Sequence, residues 1–281
     1  MNNNLKITAD EGYWFGLGAF ETIWVYKNKA VFIEEHLDRL KNAVFYLNIV
    51  QEPIDQWIDK RKKEIEKYIS ENPMENGVLK LTVSKENITI TSRKNTYTTE
   101  QYEKGFELEY SNIRRNETSP FTYMKTLNYS DCIWEKRKAK ENGFDEPIFL
   151  NTKGEICEGA TTNIFFVSKD KILTPPVSSG LLNGIMRQYI MKIANVEEGI
   201  IRPENISEFT EIFLTNSLLG IMPVKRLGEH TFNSRNIANK LITEYTKIYR
   251  QKKIESPLRG LNLFSVYSSF TLTLPFLIIA V

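Results

Sequence analysis

Lys125 lies in Tyr123-Met124-Lys125-Thr126-Leu127-Asn128-Tyr129, among apolar and aromatic neighbours rather than in a charge run. Desolvation there lowers an amine's pKa and enlarges its neutral fraction, as a nucleophile toward a carbonyl requires. A lysine snorkelling at a helix entrance is the plainer alternative. Glu158 follows Lys153-Gly154-Glu155-Ile156-Cys157 and precedes Gly159-Ala160-Thr161-Thr162-Asn163, between two strand-like runs. A carboxylate at the mouth of a sheet, with bulk removed beside it, suits a flat ring laid on the backbone. It suits a solvent-facing turn equally well. Arg39 lies one residue off the apolar stripe of a helix, where a guanidinium can turn inward to an anion or stay in water. Asn183-Gly184-Ile185-Met186-Arg187 is a turn opening a helix, a ready anion site or a plain left-handed turn. Thr215-Asn216-Ser217 ends an apolar strand with hydroxyl and amide groups.

Other chemistries find little support. The two histidines, His36 and His230, have no ligand-spaced His or Cys beside them, which argues against a metal site. No nucleophile-elbow pattern accompanies either. Proton chemistry then falls to Lys, Glu, Tyr or a cofactor. Two cysteines in 281 residues argue against a disulfide scaffold and fit a reducing, cytoplasmic compartment. Cys132 falls in a helical pattern and Cys157 in a strand, which reads as packing rather than reactivity. A net charge of +2 gives no reason to expect nucleic acid. The Lys60–Lys67 run, interleaved with Glu64 and Glu66, reads as a solvated helix face. At 41% apolar and 26% charged residues, the composition is that of a globular protein with a real core. Met1–Asn4 is polar and lacks the apolar core of a signal peptide.

Elements must bring these groups together. Gly12 to Thr22 packs three glycines among aromatics and leads into strand-like Ile23–Tyr26, so a backbone approaches a ligand or another chain there. Glu34 to Ile49 places Leu37, Leu40, Val44 and Leu47 at helical spacing, and Ile54 to Asn72 forms a second helix ended by Asn72-Pro73. Val78–Val83 and Ile88–Ile90 alternate as a hairpin around Ser84–Asn87, and Phe106–Tyr110 adds a strand. Asn112 to Pro120 reads as the inter-domain connection. Helices over Ser130–Glu141, Gly184 to Asn195 and Asn233–Gln251, with strands at Pro147–Leu150, Ile164–Val167, Lys171–Thr174 and Glu211–Leu214, fill the second half. The 21 residues from Leu261 to Val281 carry no charge, but Asn262, three serines, two threonines and Pro275 argue against a membrane helix.

In this order the motifs resemble the fold-type IV pyridoxal-phosphate enzymes, which include branched-chain and D-amino-acid aminotransferases and aminodeoxychorismate lyase. The similarity covers about residues 12–226. Phe15-Gly16-Leu17-Gly18-Ala19-Phe20-Glu21-Thr22 matches the family's glycine motif, and His36-Leu37-Asp38-Arg39-Leu40 the helix with the phosphate-binding arginine. Lys125 matches the Schiff-base lysine and Glu158 the carboxylate at the pyridine nitrogen. Asn183–Arg187 matches the phosphate-cradling turn, and Thr215-Asn216-Ser217 with Met222-Pro223-Val224 the last cofactor loop.

The resemblance implies an α/β fold: a small α+β N-terminal domain (1–116), a linker (117–122) and a larger pseudo-barrel C-terminal domain (123–256), with a tail over 257–281. It implies pyridoxal 5'-phosphate held by Arg39, the N–H groups of Ile185 and Met186, Asn216, Ser217 and Glu158. Tyr129 becomes a candidate partner for the ring hydroxyl. The site would lie near a homodimer interface and take a small-molecule substrate. Val78–Ser84, Asn183–Gln188 and Asn216–Val224 look closest to aminodeoxychorismate lyase. Thr22 stands where that lyase carries a threonine implicated in protonation and branched-chain enzymes carry glycine. The expected reaction is release of pyruvate and 4-aminobenzoate from 4-amino-4-deoxychorismate, with Lys125 and Thr22 as catalytic residues. A class IV aminotransferase using D-amino or branched-chain acids is the alternative. The clipped loop Ser84-Lys85-Glu86-Asn87 lacks the arginine that some lyases place there, leaving Arg93 or Lys85 as substitutes.

Overall fold

The computed structural model describes residues 5–169 and 171–250, so the uncharged run from Leu261 lies outside the described residues. The first half builds a four-stranded sheet in the order β2-β1-β3-β4, from β1 (Gly18–Tyr26), β2 (Lys29–Ala30), β3 (Asn76–Ser84) and β4 (Ile88–Lys94). β1 and β3 pair antiparallel along their whole length, from Gly18 opposite Ser84 to Tyr26 opposite Asn76. Helices α1 (Glu11–Phe15), α2 (Ile33–Tyr46) and α3 (Ile54–Glu71) accompany them. Leu37, Leu40 and Val44 of α2 join Ile65 and Ile69 of α3 against Ile23, Leu79 and Leu81 in one core. Fully burying such a side chain contributes roughly 1.5–3 kcal/mol.

Two features of this half differ from the sequence expectation. The glycine-aromatic stretch begins as the short helix α1, capped by Asp10 and ended by Gly16 at φ 71°. Arg61 is not on a solvated face. It is 2% exposed, lies over the Trp57 ring at 4.8 Å and donates to Glu64 at 2.7 Å. The reason is helical register: Trp57, Arg61, Ile65 and Ile69 are spaced by four and share the inward stripe of α3.

After α4 (Thr99–Lys104) come β5 (Phe106–Arg115), α5 (Ser130–Glu141), β6 (Glu146–Asn151), β7 (Ile156–Gly159), β8 (Asn163–Ser168) and β9 (Lys171–Thr174). They are followed by α6 (Ile185–Ile193), β10 (Val196–Glu198), β11 (Glu211–Asn216), β12 (Gly220–Leu227), β13 (His230–Thr231) and α7 (Asn236–Arg250). Nine of these strands form a curled sheet, β10-β9-β8-β11-β12-β5-β6-β7, with β13 on β12. β5 thus belongs to the second sheet, parallel to both β12 and β6, although it precedes the connection in sequence. It also runs to Arg115, so residues 112–115 are strand and not linker. The apolar faces of this sheet bury two clusters, one under the loops around Ile201 and Ile206, the other under α6 and α7.

Candidate active site

Lys125 is held by a segment that lies against the free edge of β1 like a further short strand. Phe20 N–H donates to Lys125 O and Leu127 N–H to Gly18 O, both at 2.9 Å. Gly18 permits this approach, because a Cβ there would sit 2.6 Å from Leu127 Cδ1 and 2.7 Å from Val83 O. The glycine motif therefore serves the close packing of the lysine's own segment. Lys125 Nζ lies 4.4 Å from the Phe20 ring centre and 4.9 Å from that of Tyr129. The two rings meet edge to face at 5.3 Å. Among the described residues the amine has no hydrogen-bond or ion-pair partner. Burial, then the Arg39 charge, pulls its pKa from 10.5 to about 8, against the opposing pull of Glu21 and Glu158. Roughly a tenth of such an amine is neutral at pH 7.

Glu158 sits on β7, 4% exposed. Its Oε1 accepts from Arg115 Nη2 at 2.6 Å and its Oε2 from Leu182 N–H at 3.1 Å. Burial raises its pKa, and Arg115, Leu182 N–H and Lys125 oppose that rise. Tyr129 joins the lysine to the carboxylate's loop: its ring faces the amine while its hydroxyl donates to Ala160 O at 2.7 Å. Tyr129 therefore links the amine to the loop that follows the carboxylate.

Arg39 projects from α2 and is gripped from behind. Its Nε and Nη2 donate to Glu21 Oε1 and Oε2 at 2.7 and 2.6 Å, and His36 Nδ1 lies 2.6 Å from Oε2. Burial would raise the Glu21 pKa, yet Arg39 and His36 hold it down to about 2. Burial keeps the His36 pKa below 6.5. Glu21 is thus an anion whose geometry fixes the arginine. Ile185 and Met186 head α6, three residues past the Leu182 N–H that holds Glu158, and the first N–H groups of that helix have no intrahelical partner. Gly184 caps that helix, and a Cβ there would fall 2.1 Å from Asn163 Oδ1. Arg187 braces the turn by donating to Asn183 Oδ1 at 2.9 Å and Pro175 O at 3.0 Å, and by pairing with Glu198.

Ser217 is half-buried just past β11. Asn216 is committed to its own loop: Oδ1 accepts from Leu218 and Leu219 N–H, both at 2.8 Å, and Nδ2 donates to Thr161 O at 3.1 Å. Its side chain shapes the turn that presents Ser217. Thr22 lies two residues from Phe20, so alternation puts it on the strand face that meets the amine.

Several participants were not assigned from sequence. Lys80, directly opposite Thr22 across the β1–β3 pair, sets its Nζ 4.6 Å from the centre of the same Phe20 ring. Arg93 is close enough to lower the Lys80 pKa further after burial has done so, whereas Lys85 sits in the hairpin turn near exposed Glu11. Glu21 stood inside the quoted glycine motif without a role, and Arg115 inside the supposed linker. Glu146, fully buried and paired with Lys136, accepts from Thr161 N–H at 2.7 Å and anchors the loop after Glu158. Strand alternation could have placed Lys80 beside Thr22. The others meet over separations that no local pattern reports.

This arrangement can be set beside known proteins. The amino-transferase class IV family profile matches residues 18–227. The chain belongs to that family. A probable branched-chain-amino-acid aminotransferase of Thermotoga maritima is 35% identical over 136 residues, 46% of this chain and 49% of the relative. The matched part spans about half the length of that relative and of a Rickettsia conorii counterpart, which is 34% identical over 55% of its length. The aminodeoxychorismate lyase of Bacillus subtilis is 26% identical over 251 residues, 81% of this chain and 83% of the relative. Among solved structures, a putative 4-amino-4-deoxychorismate lyase from Legionella pneumophila gives a TM-score of 0.78 at 25% identity, covering 88% and 96% of the two chains. The Escherichia coli branched-chain amino acid aminotransferase gives 0.78 at 20% identity, covering 92% of each chain, a likeness of fold. The curled α/β architecture of class IV enzymes is thus present. No described helix is long and apolar enough to cross a membrane.

Proposed function

We propose that this class IV chain is a pyridoxal 5'-phosphate-dependent lyase that converts 4-amino-4-deoxychorismate to 4-aminobenzoate and pyruvate, as in folate biosynthesis. The observation that carries the reading is the composition of one strand face: Thr22 pairs with Lys80, and the Lys80 and Lys125 amines both lie over the Phe20 ring. The residues fit the cofactor. A largely desolvated amine suits its aldehyde, a clamped carboxylate its ring nitrogen, and a fixed guanidinium with a helix N-terminus its phosphate. The buried hydroxyls of Thr126 and Thr215, next in sequence to Lys125 and Asn216, also lack partners among the described residues. When bound, the cofactor supplies a protonated ring that takes up the electron pair left as a bond at the amine-bearing carbon breaks.

The chain's own groups do the rest. Arg39, the N–H groups of Ile185 and Met186, and Ser217 bind the phosphate. Asn216 holds the Ser217 loop, Glu158 would keep the ring nitrogen protonated, and Tyr129 would be the partner for the ring hydroxyl. The neutral Lys125 amine accepts the proton from the amine-bearing carbon of the substrate, and departure of the enolpyruvyl group makes the six-membered ring aromatic. The Thr22 hydroxyl hydrogen-bonds the departing group and helps protonate its methylene carbon, which gives pyruvate. The Lys80 ammonium is placed to pair with a substrate carboxylate.

An aminotransferase acting on D-amino or branched-chain acids is the second reading, favoured by the higher local identity to the Thermotoga maritima relative. Feeding aminodeoxychorismate without a 2-oxo acid separates the two. Pyruvate and 4-aminobenzoate are expected; turnover that depends on a 2-oxo acid acceptor establishes the aminotransferase. Borohydride reduction and peptide mapping should place the cofactor label on Lys125. Thr22→Gly should slow the lyase reaction by about 10–100-fold while leaving cofactor uptake intact; equal loss of both removes Thr22 from the mechanism. The reading includes a cytoplasmic homodimer. The free, buried thiols of Cys132 and Cys157 support the compartment, and the exposed Tyr13, Trp14 and Phe15, just before the Gly16 carbonyl that accepts from Asn128, support the dimer.

A further inference from the structure

Arg115, at the end of β5, has no part in the chemistry above. Its guanidinium lies 4.9 Å from the Phe149 ring centre, and Nη2 donates to Glu158 Oε1 at 2.6 Å. Leu182 N–H holds the other oxygen at 3.1 Å. Each oxygen of Glu158 therefore has one fixed donor from the protein itself. Both side chains are largely removed from water, at 17% and 5% exposure. A carboxylate at that depth is driven toward its neutral form unless a fixed positive charge opposes it. An arginine keeps its proton throughout, so its charge is permanent.

We propose that Arg115 is a positioning residue for the ring nitrogen: it keeps Glu158 ionised and fixes Oε1, so that the lone pairs left over face a protonated pyridine. This rests on the pyridoxal-phosphate reading. Arg115 does not touch the cofactor. It acts by deciding whether the group that does is an anion or an acid. A neutral Glu158 would donate a hydrogen bond and so would no longer favour a ring nitrogen that carries a proton.

The cofactor-free protein is titrated with pyridoxal 5'-phosphate and with the analogue in which carbon replaces the ring nitrogen. The wild type is expected to prefer the natural compound by about tenfold or more, the worth of a charge-assisted hydrogen bond. Arg115→Gln should bring that ratio close to one, and Arg115→Lys should restore part of it. A ratio that survives in Arg115→Gln while both affinities fall together shows a merely structural arginine and overturns the proposal. Difference infrared spectra of the cofactor-free protein give an independent readout. Arg115→Gln should show a carboxylic-acid C=O band at neutral pH that the wild type lacks and that Arg115→Gln/Glu158→Gln abolishes; its absence overturns the proposal. Should Arg115→Gln fail to fold, the neutral Arg115→Met carries the ratio measurement instead, and a wild-type ratio there overturns the proposal. A wild type that takes up neither compound sinks the pyridoxal-phosphate reading instead, which the infrared band does not test.

Discussion

Desolvation of Lys125 has a measurable cost. Its pKa in the folded chain, about 8, lies below the ordinary 10.5, so the unfolded chain holds this proton more tightly. The penalty is full below pH 8 and is relieved as pH rises from 8 toward 10.5, a gain of about 3 kcal/mol at most. In urea unfolding of the cofactor-free protein, Lys125→Met should be more stable than wild type at pH 7. The difference should shrink across that window, and a pH-independent difference contradicts the assigned desolvation. Glu21 runs the other way. With its folded pKa at about 2 against 4.5, its stabilisation is present above pH 4.5 and fades as pH falls toward 2. Glu21→Gln should remove that acid limb and, by loosening Arg39, weaken binding of the phosphate group by roughly tenfold. Isothermal titration of the cofactor-free variant with pyridoxal 5'-phosphate measures the second effect.

At the scale of elements, two close approaches build the cleft. Gly18 lets the Lys125 segment lie on β1, and Gly184 lets the head of α6 lie on Asn163. Gly184 has an extended backbone, φ −66° and ψ 147°, so an added methyl group meets a steric obstacle and not a dihedral one. Gly184→Ala should therefore displace Asn163, break its 2.8 Å bond to Leu182 O and tilt the first turn of α6. Phosphate-group affinity should fall by about tenfold or more while thermal stability drops by roughly 1–3 kcal/mol. Retained affinity would mean that the helix N-terminus is not the anion site. The sequence left Gly184 open between an anion-binding turn and a plain left-handed one, and its negative φ rules out the latter. For Gly18 the neighbour is Leu127, in the lysine's own segment.

Across the whole molecule, the two sheets are joined by an aromatic cluster on the same face of β1 as Phe20 and Thr22. Trp24 and Tyr26 of β1 meet Tyr249 of α7 at 4.9 and 5.1 Å between ring centres, and Tyr245 packs within 6.3 Å of Trp24. Asn95 and Tyr102 tie the segment after β4 to Leu218 and Leu219 of the Ser217 loop through hydrogen bonds of 2.9 and 2.6 Å. The segment that follows β4 is thereby held against the Ser217 loop. Tyr245 is 5% exposed, so Tyr245→Ala should cost about 3–5 kcal/mol in a denaturant melt. A loss below 1 kcal/mol would mean that α7 packs independently of the first sheet.

The sequence by itself determined the elements whose signals are local. The amphipathic stripes of α2 and α3, the hairpin at Ser84–Asn87 and the helix over Ser130–Glu141 follow from side-chain period and turn residues within a few positions. Motif order likewise identified the family and the candidates Lys125, Glu158 and Arg39. Tertiary structure alone decided which groups complete them. Arg115 meets Glu158 across 43 residues of chain, and Arg39 meets Glu21 across 18. It also decided that β5 joins the second sheet and that Arg61 turns inward. A residue's immediate neighbours constrain its backbone and its face. The charge that comes to lie opposite a buried side chain depends on how distant strands and helices stack, and that is set by burial of the whole core.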